Sequence, residues 1–325
     1  MKAVIHKIFG EPEAVVECTQ VATPEPQEDQ VLIQMIMSPI HNHDLWTIRG
    51  TYGYKPNLPE VAGSEAVGKI VALGSKVKHL QVGQRVSVAN IHQTWAEYFV
   101  APANAVVPIP EAMSDEQAAQ LIAMPFSAIT LLEFLEVQAG QWIILNAASG
   151  MIGKTTAMLA KARGVKVINL VRRSSVIAEL KELGIEHVVA TDTPNWQEQV
   201  KEILGEEALV AGVDSIGGAD SKEMSQLLGY GALFVSFGTM GGEPVQIPVG
   251  DLIFKQIQVK GFWGSIVSQQ MLKEKKAALM QELISYVLSG QIQLPVGGIY
   301  SLEQVAQACA ASLKAGKSGK ILLKP

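Results

Sequence analysis

One stretch constrains the fold more than any other: Trp142-Ile143-Ile144-Leu145-Asn146-Ala147-Ala148-Ser149-Gly150-Met151-Ile152-Gly153. It opens on an apolar run without alternation, as expected of a strand covered on both faces. The run enters an Ala147-x-x-Gly150-x-x-Gly153 spacing, and a helical pattern follows over Lys154–Arg163. Such a loop must turn sharply and let backbone N–H groups approach a pyrophosphate at the positive end of a helix. Gly150 permits that approach and Gly153 lets the helix pack closely on the strand, with Ser149, Met151 and Ile152 in the same loop. Alone, the glycine spacing is a weak signal; between a buried strand and a helix it predicts a dinucleotide-binding turn.

The surrounding chain agrees. Strands are expected at Lys166–Val171, His187–Ala190, Val210–Asp214, Ala232–Phe237 and Ile257–Gly261. Helices are expected between them at Ser175–Leu183, Trp196–Leu204 and Ser221–Leu228. Strands spaced by amphipathic helices imply parallel βαβ units and a doubly wound sheet. The end of the second strand bears on the cofactor, because an NAD site places an acid there for the ribose 2′-OH. Here the chain reads Val171-Arg172-Arg173-Ser174, with no acid before Glu179. Two guanidiniums suit a 2′-phosphate, which selects NADP(H).

The chain before this region differs. Ala3–Ile5, Val31–Met37, Ala66–Leu73, Arg85–Val88 and Tyr98–Ala101 are short β-type runs punctuated by Gly and Pro, a β-rich, barrel-like pattern. Ser114-Asp115-Glu116-Gln117 then opens a helix with an N-cap and early acids. Beyond Met271, helices at Lys273–Ser289 and Leu302–Lys314 and a strand at Lys320–Leu323 are expected. At 325 residues, more than one domain is expected.

A net charge of −5 argues against a nucleic-acid surface, which needs clustered Lys and Arg. No apolar stretch approaches the roughly 20 residues of a membrane span. The opening Met1–Val15 meets Gly10, Glu11, Pro12 and Glu13 before any long apolar run, so no signal peptide is expected there. Two cysteines, Cys18 and Cys309, cannot build a disulfide framework and match a reducing, cytoplasmic setting.

With these residues in view, the chain resembles the medium-chain dehydrogenase/reductase superfamily along its whole length. The resemblance rests on Gly63-Ser64-Glu65-Ala66-Val67-Gly68, Val82-Gly83-Gln84-Arg85-Val86, the phosphate loop, Ser236-Phe237-Gly238-Thr239-Met240 and Gly319-Lys320-Ile321-Leu322. Arg49-Gly50-Thr51-Tyr52-Gly53 and Gly261-Phe262-Trp263 are similar to the zinc-free branch of quinone oxidoreductases and 2-enoyl thioester reductases, the enoyl reductases in particular. The resemblance implies a GroES-like β-rich catalytic domain over 1–118, a Rossmann domain over 119–265 and a return to the catalytic domain over 266–325.

It also implies roles. Zinc-dependent relatives use a Cys in Cys-His-x-Asp, a His in Gly-His-Glu and a later Cys. This chain has His41 and Ser64 at the first two positions and Met124 or Pro125 near the third, so no metal is expected. Reducing a C=C bond conjugated to a carbonyl then needs a proton donor and hydrogen bonds to the developing enolate. The resemblance gives the donor role to Tyr52, with Tyr54 as competitor. His41 stands where relatives carry asparagine, and reads equally as a site donor or as a packed loop residue. Ser127, Gly238 and Met240 are expected by the nicotinamide, Phe262 and Trp263 at the site opening, and Lys320 as a further cofactor contact. Trp263 also reads as an interface aromatic, because relatives pair through the strand corresponding to Ile257–Gly261, which implies a homodimer. The function expected is NADPH-dependent reduction of an activated C=C bond in a small-molecule substrate. Quinone reduction and a non-catalytic NADPH sensor are the alternatives.

Overall fold

A computed structural model describes residues 1–314, 316 and 319–325. The chain forms two units, Met1–Ala123 with Leu294–Pro325, and Met124–Gln293. The first unit opens with β1 (Lys2–His6), β2 (Val16–Gln20), β3 (Gln30–Pro39), β4 (Glu60–Val61), β5 (Glu65–Leu73), β6 (Arg85–Ala89), β7 (Tyr98–Pro102) and β8 (Val107–Pro108). The second contains β9 (Trp142–Leu145), β10 (Lys166–Val171), β11 (Val188–Ala190), β12 (Leu209–Asp214), β13 (Leu228–Ser236) and β14 (Gln258–Gly261). β15 (Val296–Ser301) and β16 (Lys320–Lys324) bring the chain back to the first.

The first unit holds a sheet ordered β2-β1-β4 and a larger one ordered β15-β16-β3-β5-β6-β8, with β7 also pairing β3. Alternation along β3 sends Val31, Ile33 and Met35 into a core shared with Ile70, Val86, Val88, Trp95 and Phe99. β16 runs antiparallel to β3, with Leu322 opposite Pro39 and Leu323 opposite Ser38. The Ile40 amide then donates to the Ile321 carbonyl at 2.9 Å, which sets Lys320 beside the segment that leaves β3.

That segment is helical. Asn42–Arg49 forms a helix capped at its start by the Asp44 carboxylate, which accepts from the His41 amide at 2.8 Å. Gly50 closes it in the left-handed region at φ 75°. The sequence pattern gives this stretch as a loop, because a His N-cap followed by Asp lies outside the Ser/Thr…Glu signature. By contrast, the expected cap at Ser114 is present, its hydroxyl accepting from the Gln117 amide at 3.3 Å.

In the second unit the sheet is ordered β11-β10-β9-β12-β13-β14 and is parallel throughout, a 3-2-1-4-5-6 order within its own six strands. That is the doubly wound arrangement, and its strand order reverses between β9 and β12. Ligands in such sheets bind outside the carboxyl ends of the strands at that reversal.

This unit runs on to Gln293, past the return expected at 266. The helix Lys273–Leu288 belongs to it, burying Leu279, Leu283 and Val287. Arg163 grips Glu282 with Nε and Nη2 at 2.8 and 2.9 Å, and Lys275 pairs with Glu133 at 2.5 Å. Two short helices, Val249–Phe254 and Gly264–Gln270, are additions to the expected set.

Candidate active site

The phosphate loop lies at the sheet reversal. Ala147 sits in the left-handed region at φ 52°, and Gly150 N–H closes the turn on the Ala147 carbonyl at 2.9 Å. The helix Met151–Ala162 starts from Gly150, so Met151, Ile152 and Gly153 form its first turn. A Cβ on Gly153 would lie 2.6 Å from Ala148 Cα and 2.8 Å from the Ala147 carbonyl oxygen. Only glycine lets the helix begin this close to the strand end. Ser149 and Gly150 are exposed at the helix start, where first-turn N–H groups favour an anion.

Two residues outside the expected set hold the loop. Asp214, wholly buried at the end of β12, accepts from Asn146 Nδ2 at 2.5 Å and from the Ile216 amide at 3.0 Å. Asn146 Oδ1 accepts from the Ser215 amide at 2.7 Å. The legible signal was an amide and an acid each ending an apolar strand, where buried polar groups need partners.

At the end of β10, Arg172 and Arg173 are both exposed. Burial and Asp214 push the Asp220 carboxyl up, and the Arg172 guanidinium draws it back. The next acid, Glu179, receives a 2.5 Å hydrogen bond from Lys154, whose side chain is buried. The loop, the helix start and the two arginines thus fit a dinucleotide bearing a 2′-phosphate.

After β13, Gly238 N–H donates to the Asp214 carbonyl at 3.3 Å and Met240 N–H to the Ser215 carbonyl at 3.0 Å. Met240 and Trp263 are exposed. Phe262, expected at an opening, is instead interior: its ring stacks on Phe237 at 5.5 Å and meets Phe134 edge-on at 5.3 Å. Gly264 backs onto Ser127, since a Cβ there would lie 2.9 Å from Ser127 Oγ.

The first unit concentrates a second set of polar groups. His41 is buried, with Nε2 2.7 Å from Glu65 Oε2 and Nδ1 3.1 Å from Lys320 Nζ. An ammonium only donates, so with Lys320 charged His41 Nδ1 accepts and Nε2–H donates to Glu65. The other Glu65 oxygen accepts from the Ile122 and Ala123 amides at 2.7 and 2.8 Å. Burial pushes the Glu65 carboxyl up to about 8, against the pull of those amides and Lys320. Lys320 therefore meets His41 within this unit, a partner that the expectation of a cofactor contact did not include.

Beside this line, His43 Nε2 lies 2.7 Å from Ser64 Oγ, and Ser64 donates to Asp44 Oδ1 at 2.6 Å. Burial lowers the His43 pKa. The rings stack in a column: His43 on His41 at 4.8 Å, and Tyr52 on His43 at 5.8 Å. Tyr52 is half-buried, while Tyr54 stacks on His92 at 4.0 Å instead. Among the described residues, no group of three or more His, Cys, Asp or Glu is placed to hold a metal ion.

Known proteins resemble this chain in sequence and in fold. Residues 27–111 match the family described as alcohol dehydrogenase GroES-like domain, and residues 152–282 the family described as zinc-binding dehydrogenase. The mitochondrial enoyl-acyl-carrier-protein reductase of Caenorhabditis elegans is 33% identical over 87% of this chain and 83% of its own length. The human protein of the same description is 30% identical over 99% of this chain and 88% of its own length. The chain belongs to the medium-chain dehydrogenase/reductase superfamily. A solved member of the superfamily, the Escherichia coli quinone oxidoreductase complexed with NADPH, superposes with a TM-score of 0.90 at 25% identity, covering 100% of both chains. The superfamily's GroES-like and Rossmann domains are the β-rich and doubly wound units described above.

Proposed function

We propose that this chain is an NADPH-dependent reductase that delivers hydride to an activated C=C bond, in a 2-enoyl thioester or an α,β-unsaturated carbonyl. The observation that carries the reading is Tyr52, a phenol held half-buried against the His43 ring in the unit that lacks the nucleotide loop. A protein that only bound NADPH would have no use for a positioned proton donor.

Bound NADPH supplies the hydride. The helix start at Ser149–Gly153, open to solvent at Ser149 and Gly150, would hold the pyrophosphate, and Arg172 and Arg173 the 2′-phosphate. Gly238, Met240 and Ser127 would flank the nicotinamide, with Trp263 at the opening. As hydride reaches the β-carbon, negative charge grows towards the carbonyl oxygen of the substrate. Tyr52 O–H then gives its proton to the α-carbon. His41 has both ring nitrogens engaged, so it holds the start of the helix that leads to Tyr52 rather than contacting substrate.

The E. coli quinone oxidoreductase, complexed with NADPH, supports a second reading, in which a quinone accepts the hydride. NADPH oxidation across crotonyl thioester, 2-alkenals and benzoquinones separates the two. Turnover on the thioester or alkenals supports the proposal, turnover on quinones alone supports the second reading, and binding without turnover on any defeats both.

The proposed assembly is a cytoplasmic homodimer. β14 is the terminal strand of its sheet and all four of its residues are exposed. Tyr230 and Phe254 are exposed as well, at 80% each, which supports pairing through 257–261. No helix among the described residues is long and apolar enough to cross a membrane.

A further inference from the structure

The proposed reaction uses one end of the stacked column in the first unit and leaves its middle ring unexplained. Tyr52 must recover a proton after each turnover, and the imidazole stacked on it is His43. Ser64 has one hydroxyl proton, and it goes to Asp44 Oδ1 at 2.6 Å. The 2.7 Å contact between His43 Nε2 and Ser64 Oγ is therefore an Nε2–H donation, which leaves the lone pair on Nδ1. Nδ1 has no hydrogen-bond partner among the described residues, and the side chain is 24% exposed. The imidazole thus rests neutral with one open nitrogen, backed through a hydroxyl by a carboxylate.

That backing matters when the ring becomes charged. A buried carboxylate behind an imidazole stabilises the imidazolium formed during a reaction without taking its proton. Asp44 plays that part through Ser64, and its other oxygen is held by the His41 amide at 2.8 Å. The remaining groups facing His43 are accounted for. His41 is engaged at both nitrogens, by Glu65 and Lys320, and Lys320 opposes a charge on His43. His92, which feels both Asp44 and His43, stacks on Tyr54.

We infer that His43 is the proton-exchange group of Tyr52, taking a proton at Nδ1 from solvent and returning it to the Tyr52 phenolate oxygen. The inference rests on the proposed role of Tyr52. The Tyr52 O–H bond breaks as the α-carbon–hydrogen bond forms, leaving a phenolate. A solvent proton adds to Nδ1; that N–H bond then breaks as a water takes the proton and gives one of its own to the phenolate, so the phenol O–H bond re-forms and the imidazole is neutral again. No electrons move beyond the hydride, and the net proton comes from water. Transfer from imidazolium to phenolate is downhill, since their ordinary pKa values are about 6.5 and about 10. His43 acts through Tyr52 and contacts neither substrate nor cofactor in this scheme.

Steady-state turnover of His43→Ala and His43→Phe, with and without added imidazole, tests it. Tyr52→Phe is measured first; a fully active Tyr52→Phe removes the role of Tyr52 and the inference with it. Given a slow Tyr52→Phe, His43→Ala should lose at least about tenfold in kcat, within the range expected for a lost proton transfer. Its NADPH Kd, read by fluorescence titration, should stay at the wild-type value. Added imidazole should restore kcat in proportion to its protonated form. His43→Phe keeps a stacked ring but cannot carry a proton, so it should be as slow as His43→Ala. Wild-type turnover in His43→Phe overturns the inference by showing that stacking suffices. A loss in His43→Ala that imidazole leaves unchanged, with wild-type circular dichroism and Tm, overturns it as well.

Discussion

Nε2 of His41 lies 2.7 Å from Oε2 of Glu65, with the two side chains 1% and 0% exposed. On the far side of the ring stands Lys320 Nζ, at 3.1 Å from Nδ1. A neutral imidazole has one N–H, so it cannot accept from both neighbours at once. With Lys320 charged, the ring therefore accepts from Nζ at Nδ1 and turns its one N–H, on Nε2, towards Glu65. This lets three ionisable groups lie in an interior where isolated charges are costly.

Stability should carry the mark of Glu65. Its carboxyl, ordinarily at about 4.5, is pushed up to about 8 in the fold, because burial disfavours the anion. Between those values the unfolded chain has lost the proton that the fold keeps, so stability falls as pH rises through the window and levels off above it. Glu65→Gln cannot titrate. Thermal melts at several pH values should show the wild type losing Tm relative to Glu65→Gln as pH climbs from about 5 to about 8. Parallel pH profiles would refute the assignment.

Gly153→Ala should damage the nucleotide loop, since its new Cβ would press on the Ala148 backbone at 2.6 Å. A cost of about 1–3 kcal/mol is expected for such overpacking, with NADPH binding weakened at least tenfold. Gly261→Ala is the control for the loop, because within one chain nothing lies within 4 Å of a Cβ there and the residue stands outside the nucleotide turn. Equal NADPH Kd values for the two variants by calorimetry would sink the prediction.

Arg172→Ala and Arg173→Ala should erode cofactor preference. A hydrogen bond to a charged group contributes about 1.5–3 kcal/mol, so each loss should raise the NADPH Kd by roughly tenfold to a hundredfold. NADH, without the 2′-phosphate, should bind each variant about as well as it binds the wild type. A uniform weakening for both nucleotides would point to the pyrophosphate or the fold instead.

Tyr52→Phe keeps the stacked ring and removes the proton. Loss of general acid catalysis should lower kcat by about 10² to 10⁴ while leaving NADPH affinity unchanged. Tyr54→Phe should have little effect, because that ring pairs with His92 rather than the His41–His43 column. The reverse outcome in steady-state kinetics would exchange the two tyrosines.

The doubly wound half was legible because an unalternating apolar strand, a glycine-spaced turn and a helix can coexist in few other ways. Its end was not. The helix Lys273–Leu288 is amphipathic, and amphipathicity does not say which core accepts it; the Arg163–Glu282 pair does. Phe262 misled for a related reason, since an aromatic after a strand serves an opening or a core equally well, and Phe134 and Phe237 decide for the core. In the polar cluster, His41, Tyr52 and Lys320 carried visible signals. The Asp44–Ser64–His43 chain did not, because β3, the following helix and the start of β5 must fold before residues twenty apart can meet.

The pairing of Ser38 with Leu323 closes a loop through the whole intervening chain. Closing so long a loop costs entropy before any contact repays it, and contacts of high sequence separation slow folding. All six strands of the second unit, by contrast, come from one uninterrupted stretch, Met124–Gln293. That stretch should fold first and from within itself, shortening the span that β3 and β16 must bridge. In kinetic terms, the inserted unit acts as a tether for the sheet that carries Lys320 to His41.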